Sequence, residues 1–120
     1  MKYRVVIADD EAKIIRLIEE LGSWEALGIE IVDTCTSGSA ALESILRLRP
    51  DFVLSDIKMP GLDGLELIGR ARSAGAAPLF ILISGYKLMD GSWMDRVVDG
   101  VYAERCIAIT LETMSQYFPE

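Results

Sequence analysis

Histidine is absent from the 120 residues, and no other absence excludes as much. Without it there is no Ser/His or Cys/His catalysis, no histidine metal site and no role as a phosphohistidine carrier. Cysteine is scarce. Cys35 and Cys106 stand at no metal-ligand spacing, so two buried free thiols in a reducing compartment are expected and a structural disulfide is not. Positive charge is outnumbered, with 12 Lys and Arg against 19 Asp and Glu, for a net charge of -7. That sign disfavours direct nucleic-acid binding, which depends on neutralising phosphates. No apolar run approaches the roughly 20 residues of a membrane span, and "MKYRVVIADDE" reaches acid too early for a signal peptide. The expectation is a soluble, cytoplasmic, single-domain protein with no membrane contact, whose chemistry runs on carboxylates, hydroxyls and amines.

Apolar, β-branched runs recur along the chain: "YRVVIA" (3–8), "IEIVDTC" (29–35), "DFVLS" (51–55), "LFILIS" (79–84) and a weaker "GVYAERCI" (100–107). Between them come segments with helical spacing: Ile14, Ile15, Ile18 and Leu21; Ala41, Leu42, Ile45, Leu46 and Leu48; Leu65, Leu67, Ile68 and Ala71. Ser37 or Ser39 suits the cap of the second helix, and Pro50 and Pro78 each stop a helix before a strand. Strands apolar on both faces require helices on both sides. The alternation therefore predicts a doubly wound α/β fold with a five-stranded parallel sheet.

In such sheets the working crevice lies beyond the carboxyl ends of the strands, where strand order reverses. The first strand runs into Asp9, Asp10 and Glu11, the third ends at Asp56, and the fourth ends in Ser84, Gly85 and Tyr86. Either Asp9 or Asp10 alone would more often be a helix cap than a ligand. With Asp56 added, carboxylates meeting in one crevice call for a cation, and an all-oxygen donor set points to Mg²⁺. The acidic first loop disfavours a nucleotide or flavin cofactor, which needs N–H groups turned to phosphate. Asp56 itself suits a nucleophile that accepts a phosphoryl group. In "KMPGLDG", Pro60 sets direction, Gly61 and Gly64 allow tight turning, and a backbone carbonyl is available to a metal.

"VVIADDE", "DFVLSDIKMPGLDG" and "LFILISGY", in this order and spacing, resemble the receiver domain of two-component response regulators over residues 1–86. "GSWEALGIEIV" with "SGY" resembles the receivers that precede AraC-type DNA-binding domains. The resemblance implies a flavodoxin-like fold, Asp56 as phosphoacceptor, Asp9 and Asp10 as the acidic pair that helps hold Mg²⁺, the Lys58 backbone carbonyl as a further ligand, and Ser84 as the switch hydroxyl. It implies a sensor histidine kinase as donor, a non-enzymatic conformational switch for a transcriptional regulator, and a homodimer as one output. DNA would be reached only through an effector domain absent from this chain.

The family ends its fifth strand with a lysine, and this chain has none after Lys87. Setting "VYAERCI" against that stretch puts Tyr102 in the place of the switch aromatic, Arg105 in the lysine's and Cys106 in that of the following proline. Residues 87–107 are divergent within a single receiver domain spanning 1–120. Met89, Trp93 and Val97 keep helical spacing there, and Ile107, Leu111, Met114 and Phe118 form an apolar helical stripe. Two rivals stand beside an active receiver. One is a degenerate receiver serving as a phosphorylation-independent interaction module. The other is a phosphatase with an aspartyl nucleophile; such enzymes place a second acid two residues on, where Lys58 stands.

Overall fold

A computed structural model of the chain describes residues 2–21, 24–84 and 106–110, with backbone alone at Leu21, Ile83, Ser84 and 106–110. The order is β1 (Tyr3–Ala8), α1 (Ala12–Leu21), β2 (Ile29–Cys35), α2 (Gly38–Leu48), β3 (Phe52–Asp56), α3 (Gly64–Ser73), β4 (Leu79–Ser84) and β5 (Cys106–Thr110). All strand pairs are parallel, in the spatial order β2-β1-β3-β4-β5. The order reverses between β1 and β3, which places the crevice at the ends that carry Asp9 and Asp56.

Strand alternation sorts side chains into two cores. Val6, Ala8, Val53, Phe80 and Leu82 face α2 and α3, meeting Ala41, Ile45, Leu65, Ile68 and Ala71. Val5, Ile7, Leu54 and Ile81 face α1, meeting Ile15 and Ile18. The sheet is therefore covered on both sides, as its two-faced strands predict. Burying a side chain such as Ile7 or Phe80, both fully inaccessible, contributes roughly 1.5–3 kcal/mol.

Local chemistry fixes where the helices begin and end. Ser37 accepts from the Ala40 N–H at 3.2 Å and starts α2. Asp63 accepts from the Glu66 N–H at 2.8 Å and starts α3. Trp24, buried under α1, donates its indole N–H to the carbonyls of Ile18 (3.3 Å) and Glu19 (3.1 Å) near the helix end. Arg4 closes the opposite end of the sheet: its backbone N–H meets Asp51 at 2.9 Å and its guanidinium meets the Leu48 carbonyl at 2.5 Å.

At the end of α2, Arg49 takes the left-handed conformation, φ 48°, that glycine adopts without strain. Arg49→Gly is expected to stabilise the chain by about 0.5–1 kcal/mol, net of the exposed bond from its guanidinium to Leu46. A higher midpoint in urea with an unchanged slope checks this.

One sequence expectation is corrected here. The described fifth strand spans Cys106–Thr110, so Ile107–Thr110 are extended instead of opening a helix, while 100–105 lie outside the described residues. "CIAIT" is short, apolar and rich in β-branched residues, and periodicity alone does not separate a strand from a helix over so few positions. Pairing on β4 decides the matter, with Cys106 opposite Phe80 and Thr110 opposite Ser84. The helices expected around Trp93 and over 111–118 lie outside the described residues.

Candidate functional site

The acidic crevice is assembled by two strand ends. Asp9 follows β1 directly and is 4% exposed; its backbone N–H donates to the Cys35 carbonyl at 3.0 Å, tying it to the end of β2. Its carboxylate accepts from the Glu11 N–H at 2.8 Å, just ahead of α1. Asp9 thus serves the helix start and the crevice together. Asp10 beside it is exposed, and Asp56, the last residue of β3, is half-buried. One carboxylate oxygen from each of Asp9, Asp10 and Asp56 lies within 4.8 Å of the others.

Burial is the main reason that Asp9 is pushed up to about 7, with the charges of Asp56, Asp10 and Glu11 adding to it against the Glu11 N–H. Burial likewise pushes Asp56 up to about 6, opposed by the N–H groups of Ile57 and Lys58 and reinforced by Asp10 and Glu11. Among the described residues, no Lys or Arg forms a salt bridge with these carboxylates; the ion pair of Asp33 with Arg47, at 3.8 Å, lies elsewhere. Crowded carboxylate oxygens with no paired cation among the described residues form a donor set suited to a hard divalent ion.

These shifts have a pH consequence. Both carboxyls bind protons more tightly in the folded chain than in the unfolded one. Their contribution to stability is therefore complete below the ordinary carboxylate range and is lost as pH rises through about 6 and about 7. The metal-free chain is expected to lose Tm between pH 5.5 and 8, and Asp9→Asn to lose less. Mg²⁺ is expected to raise Tm more at pH 8 than at pH 5.5. Thermal unfolding of both chains with and without Mg²⁺ measures this, and equal Mg²⁺ increments at both pH values would contradict it.

The loop after Asp56 is built as a close turn. Gly61 has φ +76° in open space, as its predicted turning role requires. Gly64 acts differently: it opens α3, its N–H donates to the Ile57 carbonyl at 2.8 Å, and a Cβ there would fall 2.4 Å from the Asp56 carbonyl oxygen. Asp63, not singled out from sequence, caps α3 in a D-x-x-E box that "DGLE" spells out. Lys58 is exposed in this loop.

Ser84 ends β4 one residue beyond Ile83, which pairs with Asp56; its side chain lies outside the described residues. Tyr102 and Arg105 also lie outside them. The described part of β5 reaches the crevice end at Thr110, opposite Ser84. Cys35 is a buried free thiol, as expected, while the Cys106 side chain is outside the described residues. A cleft of about 200 Å³, lined in part by Arg49, Pro50, Asp51 and Pro78, lies at the opposite strand ends from the carboxylates. Among the described residues no helix is long and apolar enough to cross a membrane.

Known proteins resemble this chain. The YesN protein of Bacillus subtilis (strain 168), described as an uncharacterized transcriptional regulatory protein, is 37% identical over 84 residues, 70% of this chain and 23% of the relative. A protein-glutamate methylesterase/protein-glutamine glutaminase of Nocardioides sp. (strain ATCC BAA-499 / JS614) is 40% identical over 81 residues, 68% of this chain and 22% of the relative. The chain thus spans less than a quarter of the length of these curated relatives. The REC domain of AraT, a response regulator from Geobacillus stearothermophilus, superposes with a TM-score of 0.77 at 32% identity, covering 92% of this chain and 82% of that one. The family model for the response regulator receiver domain matches residues 5–92, and a match of that extent makes the chain a member of that family, a receiver of two-component response regulators.

Proposed function

We propose that the chain accepts a phosphoryl group on Asp56 from the phosphohistidine of a sensor histidine kinase. Asp9, Asp10, Asp56 and the Lys58 backbone carbonyl would hold Mg²⁺. The observation that carries this reading is the convergence of the Asp9, Asp10 and Asp56 carboxylates at the switch point of the sheet. Bound Mg²⁺ supplies charge compensation for the phosphoryl oxygens. The chain's own residues do the rest. An Asp56 oxygen forms the new O–P bond as the donor's N–P bond breaks, the Ile57 and Lys58 N–H groups orient that carboxylate, and Asp9 is fixed by its two backbone bonds. Ser84 is the proposed switch hydroxyl, and added charge beside it shifts a two-state equilibrium.

The domain signals and does not turn over a substrate of its own; Lys58, where aspartyl phosphatases place an acid, supports this. A transcriptional output is supported by the YesN relative, with DNA contacted by a separate effector domain, a homodimer as one response and the cytoplasm as its setting. The second reading, a phosphorylation-independent interaction module, is favoured by the sequence having no lysine after Lys87, where the family ends its fifth strand with one. Intact mass after incubation with Mg²⁺ and acetyl phosphate separates the two. One phosphoryl gain, lost without metal, supports phosphoacceptance; no gain where an ordinary receiver is labelled supports the module.

A further inference from the structure

β2 carries one residue more than β1 requires. Tyr3, Arg4 and Val5 pair with Ile29, Glu30 and Ile31, after which Val6 pairs with Asp33, leaving Val32 as a bulge. Before the bulge, Ile29 and Ile31 pack on the α1 side of the sheet. After it, alternation restarts: Val32 packs against the α2 side, and its neighbour Asp33 turns to α2 as well. Asp33 accepts a hydrogen bond from the hydroxyl of Ser44, itself 4% exposed on α2, and a weaker one from the Cys35 thiol at 3.6 Å. Its second oxygen accepts from the Thr34 N–H at 2.9 Å.

The shifted register decides which carbonyl meets Asp9. With the bulge, Cys35 stands opposite Ala8 and its carbonyl accepts the Asp9 N–H at 3.0 Å. Without it, Thr34 would stand there and the Cys35 carbonyl would lie about 3.3 Å further along the strand. No glycine or proline imposes the bulge, since the local sequence is Ile31-Val32-Asp33-Thr34. At the shifted register Asp33 is bonded to a buried hydroxyl on the neighbouring helix.

We propose that the Asp33–Ser44 contact positions the acidic crevice: it holds the bulged register of β2 and, through the Cys35 carbonyl, the backbone of Asp9. The metal half of this inference rests on the reading of Asp9 as a Mg²⁺ ligand; the backbone half does not. Asp33 and Ser44 are positioning residues and touch no reacting atom.

Amide hydrogen exchange at Asp9 and Mg²⁺ titration of the full chain are measured for the native protein, Ser44→Ala, Asp33→Ala, Asp33→Asn and Ile45→Val. The last thins the same helix without touching Asp33. Ser44→Ala and Asp33→Ala are expected to speed exchange at Asp9 relative to Ile7 and to weaken Mg²⁺ binding at least about threefold, less than loss of a direct outer-shell partner of a ligand. Asp33→Asn, which keeps a partner for the hydroxyl, is expected to restore most of both, and Ile45→Val to change neither. Unchanged exchange at Asp9 in Ser44→Ala and Asp33→Ala, or equal effects in Ile45→Val at matched Tm, would overturn the proposal. If the native chain binds no Mg²⁺, the metal reading fails on its own and the exchange result still decides the positioning role.

Discussion

Asp56→Asn is expected to abolish phosphoryl uptake and, in the metal-free chain at pH 8, to raise stability. The amide is not a nucleophile toward phosphorus, so the loss of labelling is complete rather than graded. The gain in stability has a separate cause. Burial holds the Asp56 carboxyl up at about 6, so carrying its charge at pH 8 is unfavourable in the folded state, and Asp10 and Glu11 add repulsion. Asn keeps an oxygen for the Ile57 and Lys58 N–H groups and removes the charge. Allowing for solvent screening of a half-buried group, about 1 kcal/mol is expected at pH 8, fading toward pH 5 as the native carboxyl takes up its proton. Urea unfolding at both pH values measures the difference. A destabilised Asp56→Asn at pH 8 would mean that the crevice is not charge-crowded, and the case for a metal there would weaken with it.

Gly64→Ala should have the largest effect on stability and reach the site as well. The added Cβ meets the Asp56 carbonyl oxygen at 2.4 Å, the Ile57 Cα at 3.2 Å and the Asp56 carbonyl carbon at 3.3 Å. These are backbone atoms with no side chain to swing aside, so either α3 retreats or the end of β3 moves. A cost of about 1–3 kcal/mol is expected, together with slower labelling because the moved atoms belong to the phosphoacceptor itself. Gly61→Ala is the control. It sits at φ +76° with open space around it, so about 1 kcal/mol of backbone strain is expected with little change in labelling rate. Equal labelling by the two variants would show that the Asp56 backbone tolerates displacement.

The first 84 residues were legible because each strand there is long enough to be read and β1, β3 and β4 are buried on two faces. "VVIADD" and "FVLSD" announce both the strands and the acids at their ends. Once the sheet is taken as parallel, Asp9 and Asp56 must share its carboxyl edge, which the 4.8 Å cluster shows. Less was legible where tertiary contacts decide. Val32 carries no sequence mark of a bulge; the proposed anchor is a hydroxyl on α2, 11 positions after Asp33, that bonds the Asp33 carboxylate. Gly64 was read as a turning residue, but its use is close approach, which depends on where the Asp56 carbonyl lies. The extended run at Ile107–Thr110 has no clear mark in the sequence, because "CIAIT" fits an apolar helical stripe as readily as a strand, and only pairing with Phe80 through Ser84 separates them.

The central claim is that Asp56 is the residue that takes the phosphoryl group. The most direct measurement is peptide mapping after incubation with acetyl phosphate and Mg²⁺, followed by borohydride reduction, which converts an aspartyl phosphate to homoserine at the acceptor position. Homoserine at position 56 alone, absent without Mg²⁺, is the expected result. Homoserine at Asp9 or Asp10, or none under conditions that mark another receiver, would contradict it.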